Sequence, residues 1–163
     1  MSGQLGLGIL LVSNLKHVQE LATETLAKSR RRLWTSTNHP LLSKPKVTLR
    51  DVAKEPYIQL TIDEAAKTTL SYWAKHGLAP SVVFRTDSVE AVRSLVATGA
   101  GVALLPDLVY RPWSLEGDRI ESRDISGALP VVQVGMVWRR GSGLPQAARD
   151  FIGIAQSQHM ARR

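Results

Sequence analysis

Two runs in this sequence close an apolar stretch with the same polar knot: QLTIDEAA at 59–66 and FRTDSVEA at 84–91. In each, a threonine stands at the end of a strand-like run, and acidic or hydroxyl side chains follow where they can cap the first turn of a helix. Asp87 and Glu90 have the spacing of a capping box. Helix starts of this kind present free backbone N–H groups and the positive end of the helix dipole. In open α/β sheets they face the crevice beyond the carboxyl ends of the strands, where ligands bind. Thr61, Thr86 and Ser88 are therefore the expected donors to a small polar ligand. The alternative stays open that these hydroxyls only cap their own helices. Asp63, Glu64 and Asp87 oppose a simple anion site, because unpaired carboxylates repel an anion.

Other chemistries lack their residues. There is no cysteine, hence no disulfide, thiolate or cysteine-based zinc site, and the chain suits a reducing compartment, with the cytoplasm as default. His17, His39, His76 and His159 show no paired spacing, so each is expected to be structural or superficial rather than a metal ligand. No G-x-S-x-G elbow or G-x-x-x-x-G-K-[ST] loop occurs, and Gly99 and Gly101 follow a helical pattern where a dinucleotide fingerprint needs a strand. No enzyme activity, cofactor or metal is expected. The formal charge of +7 favours acidic partners in principle. Its clusters, KSRRR at 28–32, WRR at 138–140 and ARR at 161–163, are small, and no helix-turn-helix or aromatic-basic single-strand motif accompanies them. A solvated basic surface is the simpler reading. The apolar N-terminal run is too short to span a bilayer, and no signal-peptide pattern surrounds it.

Strand-like and helical patterns alternate around the two knots. LGLGILLVS (5–13) reads as a buried strand, LKHVQELATETLA (15–27) has weaker periodicity, and RRLWTSTNHP contains a strand that stops at His39-Pro40. TLRDVAKEP predicts a short helix capped by Thr48 and Asp51. YIQLT (57–61) is the next strand, and DEAAKTTLSYWAKHG a helix closed by Gly77. SVVFRT (81–86) leads into a helix with the stripe Val89, Val92, Leu95 and Val96, which Gly99 and Gly101 release into the strand VALLP. DLVYRPW predicts a helical turn, RIESRDI a polar edge strand and VVQVGMVWRR a long buried one. The last helix, from Leu144 to about Gln158, stacks Ala147, Ala148, Phe151, Ile154 and Ala155 on one face. Alternation of this kind calls for an α/β fold with a mainly parallel sheet and helices on both faces.

TDSVEAVRSLVATGAGVALLP, with its V-x-x-G-x-G-V-x-x-L-P exit, resembles the signature of the regulatory domain of LysR-type transcriptional regulators. NHPLL, VTLRDVAKEPYIQL and VGMVWRRGSGLPQAARDFI are similar to the same family in the same order, so the resemblance covers about residues 2–156. It implies a type 2 periplasmic-binding-protein-like fold with an effector held between two lobes. Residues 37–129 would form the second lobe, 1–36 a partial first lobe, and 130–163 the return to it with the C-terminal helix. Carried over by position, Thr86, Asp87 and Ser88 would be effector contacts, with Thr61 at the neighbouring strand end. YRPWSLEGDRIE would border the cleft or lie behind it, with Trp113 expected in the core.

SGQLGLGIL resembles the family's S-G-x-L-D-x-x-I segment, with Gly6 where an aspartate is usual. That segment lies midway through the first lobe. The chain is therefore expected to be a C-terminal part of such a bacterial regulator, its first lobe incomplete and its winged helix-turn-helix absent. The implied partners are a small-molecule effector, further copies of the intact regulator as a dimer or tetramer, and DNA only through the absent N-terminal domain, with no membrane. A solute-binding protein of a transport system with the same fold is the alternative, and it would need an export signal. An enzyme on this scaffold would need a nucleophile and base that the sequence does not group.

Overall fold

The computed structural model describes residues 6–15, 18–62 and 71–160. These fall into two compact units: Arg30–Pro130 forms one, and the described residues up to Ser29 and from Val131 onward form the other.

The Arg30–Pro130 unit carries both polar knots. Its strands are β3 (Arg31–Ser36), β4 (Pro56–Leu60), β5 (Ser81–Thr86), β6 (Ala103–Pro106) and β7 (Ile120–Arg123), where β1 and β2 precede it in the chain. β4 and β5 pair in parallel, and β3 lies between β6 and β7, antiparallel to both. A parallel bridge between Tyr57 and Val102 joins the two groups, with Ile58 N donating to Val102 O at 2.9 Å and Val102 N to Pro56 O at 2.8 Å. The resulting strand order is β5-β4-β6-β3-β7. Four of the five strands run the same way, and β3 alone opposes them. Because β3 sits inside the order, it makes two of the pairings antiparallel.

Alternation along the strands divides the core into two layers, since successive side chains point to opposite faces. Leu33, Tyr57, Val102 and Leu104 pack on one face with Leu49 and Val52 of α1 (Leu49–Val52) and with Tyr72 and Trp73 of α2, of which residues 71–75 are described. Trp34, Ile58, Ala103 and Leu105 pack on the other with Val92 and Val96 of α3 (Val89–Ala97). The predicted stripe of α3 thus faces the sheet, and helices cover both faces. Edge-to-face aromatic contacts knit each layer, Tyr57 with Trp73 at 5.7 Å and Trp34 with Tyr110 at 5.6 Å between ring centres.

In the other unit β8 (Val132–Arg139) lies between β1 (Gly8–Leu11) and β2 (Leu21–Ser29), antiparallel to both. The weakly periodic segment at 15–27 is therefore strand from Leu21 onward. A register shift between Thr25 and Ala27 marks an irregularity in β2 that locally interrupts its alternation. The expectation of mainly parallel pairing does not hold in this unit. A strand runs parallel to its predecessor when a helical crossover joins them. β3 and β8 each follow a passage of the chain between units instead, and each is the opposed strand of its sheet.

The last helix, α4 (Gln146–Met160), lies against β2 with Ala148, Ile152 and Ala155 half-buried. Phe151 and Ile154, expected on its buried face, are 44 % and 63 % exposed. Positions 148, 152 and 155 define a stripe at helical spacing, and 151 and 154 lie to one side of it.

Local geometry matches the residue types. Thr48 Oγ1 accepts from Asp51 N at 3.3 Å, and the Asp51 carboxylate accepts from Thr48 N at 2.9 Å and from Lys44 Nζ at 2.6 Å. Gly77 and Gly99 have φ of +62° and +79°, the left-handed conformation that ends a helix at low cost in glycine. Gly101 has a different reason: a Cβ there would stand 2.6 Å from the Pro56 carbonyl oxygen.

Two outcomes follow for stability. Replacing Gly101 by alanine should cost about 1–3 kcal/mol, read from urea unfolding, because the β4 bridge must shift. Hydrogen bonds from Lys44 and Thr48 hold the Asp51 carboxyl well below the usual carboxylate range. Its contribution is present above the unfolded value of about 4 and is lost as pH falls through the lower folded value. Thr48→Ala should therefore cost about 1 kcal/mol near neutral pH, and less in strong acid, in unfolding curves collected across pH.

Candidate functional site

The two knots meet. β4 and β5 are adjacent and parallel, with Leu60 opposite Thr86, and Thr61 N donates to Thr86 O at 2.8 Å. This bond extends the ladder past the end of β4 and holds Thr61 beside Thr86, although they are 25 positions apart in the sequence. Both are half-buried, whereas Asp87 and Ser88 are exposed. Asp63 and Glu64 lie outside the described residues.

The start of α3 is capped by Ser88, whose Oγ accepts from Ala91 N at 3.2 Å. Thr86 Oγ1 in turn accepts from Ser88 N at 3.1 Å. The predicted capping box of Asp87 and Glu90 does not form. Ser88 has the extended backbone of an N-cap, which moves the helix start one residue beyond Asp87, and the Glu90 carboxylate pairs with Arg93 instead. Capping and ligand binding are compatible here. A hydroxyl that accepts from a backbone N–H still carries a proton to donate. Thr86 and Ser88 thus present two donors at the mouth of a helix N-terminus, with the exposed Asp87 between them in sequence.

Arg93 gave no functional signal in the sequence. It is 3 % exposed, donates through Nη2 to Val109 O at 2.9 Å, pairs with Glu90 and lies over the Trp34 ring at 5.8 Å. It ties α3 to the single turn at Asp107–Val109. The available clue was its position next to Val92 on the apolar stripe, with Glu90 three residues back. Ser94 Oγ donates to Glu116 at 2.7 Å, which holds that carboxyl below its ordinary range and fastens the 113–119 loop to the same helix.

Trp113, expected in the core, is 54 % exposed. It bridges to Arg119 across a tight loop, with Gly117 at φ +92°, and the Arg119 guanidinium lies 5.7 Å from its ring centre. The loop turns its side chain outward, and the stacked cation covers one ring face. His39 accepts from Leu41 N at 3.2 Å and His76 Nδ1 lies 2.8 Å from Tyr72 O, so both serve local structure. Among the described residues no group of three His, Asp or Glu side chains is placed to hold a metal ion, and no helix is long and apolar enough to cross a membrane.

Two strand ends and the start of α3 bring hydroxyl groups together in the Arg30–Pro130 unit. Residues 2–159 match the LysR substrate binding domain, and the chain belongs to this family. It is 27% identical over 120 residues to the HTH-type transcriptional regulator YybE of Bacillus subtilis (strain 168), covering 73% of this chain and 40% of that protein. It superposes with a TM-score of 0.84 and 25% identity on HinK, a LysR family transcriptional regulator from Pseudomonas aeruginosa, over 97% of this chain and 54% of the other. The effector binding domain of QuiR, solved in complex with shikimate, shares the fold at a TM-score of 0.76 and 18% identity, over 96% of this chain and 72% of that one. The chain spans about half the length, or less, of YybE and HinK.

Ser88→Ala should cost about 1 kcal/mol of stability through loss of the α3 cap, while Ser88→Gly should cost only a few tenths, measured by chemical unfolding.

Proposed function

We propose that this chain senses a small polar metabolite as the regulatory part of a LysR-type transcription regulator. The observation that supports this most is the bond between Thr61 and Thr86, which brings two hydroxyl-bearing strand ends and a capped helix start to one place. In this reading Thr61, Thr86 and Ser88 donate to the effector, and Asp87 accepts from a ligand hydroxyl or amine. The Arg30–Pro130 unit serves as the second lobe, close to the 37–129 inferred from the sequence, and the other unit is part of the first. The QuiR complex lends support, since a domain of the same fold holds a hydroxylated acid.

The effector acts by favouring one conformation over another, and it can shift the balance only by the difference between its affinities for the two. That difference alters how copies of the regulator pack on DNA, which the protein engages through a domain outside this chain, in the bacterial cytoplasm. A transport solute-binding protein is disfavoured because the curated relatives are transcriptional regulators. The same relatives argue against catalysis as its role.

The test is a reporter dose-response in the intact regulator, after a screen of small acids and amino acids has supplied an inducer. Thr86→Ala and Ser88→Gly should each shift the response to about three- to tenfold higher effector, the loss of one hydrogen bond. An unshifted response in both variants would remove the site.

A further inference from the structure

The Arg30–Pro130 unit also carries a cavity of about 380 Å³ at the β7 edge of its sheet. β5 and β7 are the two edges of the strand order, so the cavity lies four strand spacings, roughly 19 Å, across the sheet from the end of β5. Arg32, Lys46, Ser122, Arg123, Asp124 and Ser126 supply its polar wall.

The three cations differ in what opposes them. Arg32 Nε lies 3.1 Å from Asp124, Nη1 lies 3.6 Å from Asp107, and Nη2 donates to Ser122 O at 3.3 Å. Two carboxylates balance it. Arg123 donates to the carbonyl oxygens of Leu41, Leu42 and Lys44, neutral groups that fix its fork and leave its charge unmatched. Lys46 is exposed, and none of the ion pairs among the described residues includes it. The cavity therefore holds a surplus of positive charge, with Ser122 and Ser126 among its lining residues.

Its walls are also held in place. Ser126 N donates to Val47 O at 2.7 Å, Thr48 and Ser126 form a parallel bridge, and Arg123 pins the 41–44 turn to β7. A site fixed before binding loses less entropy when a ligand arrives.

We propose that this cavity is a second ligand site, for a small hydroxylated monocarboxylate. Its carboxylate is held by the Lys46 ammonium in the field of Arg123, and its hydroxyls bond Ser126. Asp124 disfavours a dianion such as phosphate and accepts from a ligand hydroxyl. This site is independent of the strand-end site at Thr61, Thr86 and Ser88.

The experiment is an amide NMR titration of the chain with gluconate, which has one carboxylate and a chain of hydroxyls, against sodium chloride at matched ionic strength. The amides of Lys46, Val47 and Ser122 through Ser126 should shift and saturate. Lys46→Gln should weaken that binding about tenfold, the loss of one charged hydrogen bond. Lys46 is exposed, so the variant keeps the fold, which its remaining amide spectrum reports, and Thr86→Ala should leave the binding unchanged. Shifts that stay linear, that chloride reproduces or that Lys46→Gln does not alter would overturn the proposal. Saturation confined to Thr61, Thr86 and Ser88 would overturn it too, while supporting the strand-end site.

Discussion

The close approach of Gly101 to Pro56 is the constraint on which the Arg30–Pro130 unit rests. Only a residue without a side chain lets the chain entering β6 come near enough for Ile58 and Val102 to exchange bonds with their neighbours across the gap. That bridge fuses a parallel pair and an antiparallel triplet into one sheet, and the fused sheet buries both aromatic layers. β4 is then fixed on both sides. Its last ladder bond, Thr61 to Thr86, becomes a consequence of packing many residues away, and the donors at the strand ends are set by the core beneath them.

The same logic explains what was legible in the sequence. Consecutive apolar residues at Leu33 and Trp34, Tyr57 and Ile58, and Leu104 and Leu105 announce strands covered on both faces, and the stripe from Val89 to Val96 announces the helix that covers one of those faces. Thr48 and Asp51 form the predicted cap because all partners lie within one turn. The pairing of Thr61 with Thr86 could be anticipated from the repeated knot, since helical crossovers bring successive strands out on one edge.

Less was legible wherever a partner is distant or a choice turns on one residue. Asp87 and Ser88 are both good caps, and the backbone at Ser88 decided between them. Trp113 has the composition of a core residue, and a tight loop turned it outward. The stripe on α4 was misread because alanines and large apolar residues sit on adjoining faces, and only contact with β2 distinguishes them. The balance of charge around Arg32, Arg123 and Lys46 needs β3, β7 and the 41–47 segment together, from three separate places in the chain. Nothing local encodes it.

The central place of β8 governs the order in which the chain can fold. β1 and β2 lie at the beginning of the sequence, yet among the described residues they pair only with β8, so that Leu21 meets Arg139 and Gly8 meets Val137. Closing a loop that long is slow, because its entropy must be lost before any contact repays it. The Arg30–Pro130 unit is continuous, and its pairings, such as Leu33 with Arg123, close shorter loops than Leu21 with Arg139. As the chain leaves the ribosome, this unit can condense first and draw the ends of its own segment together, shortening the search that β8 must make. β1 and β2 thus wait for β8 before they find their partner.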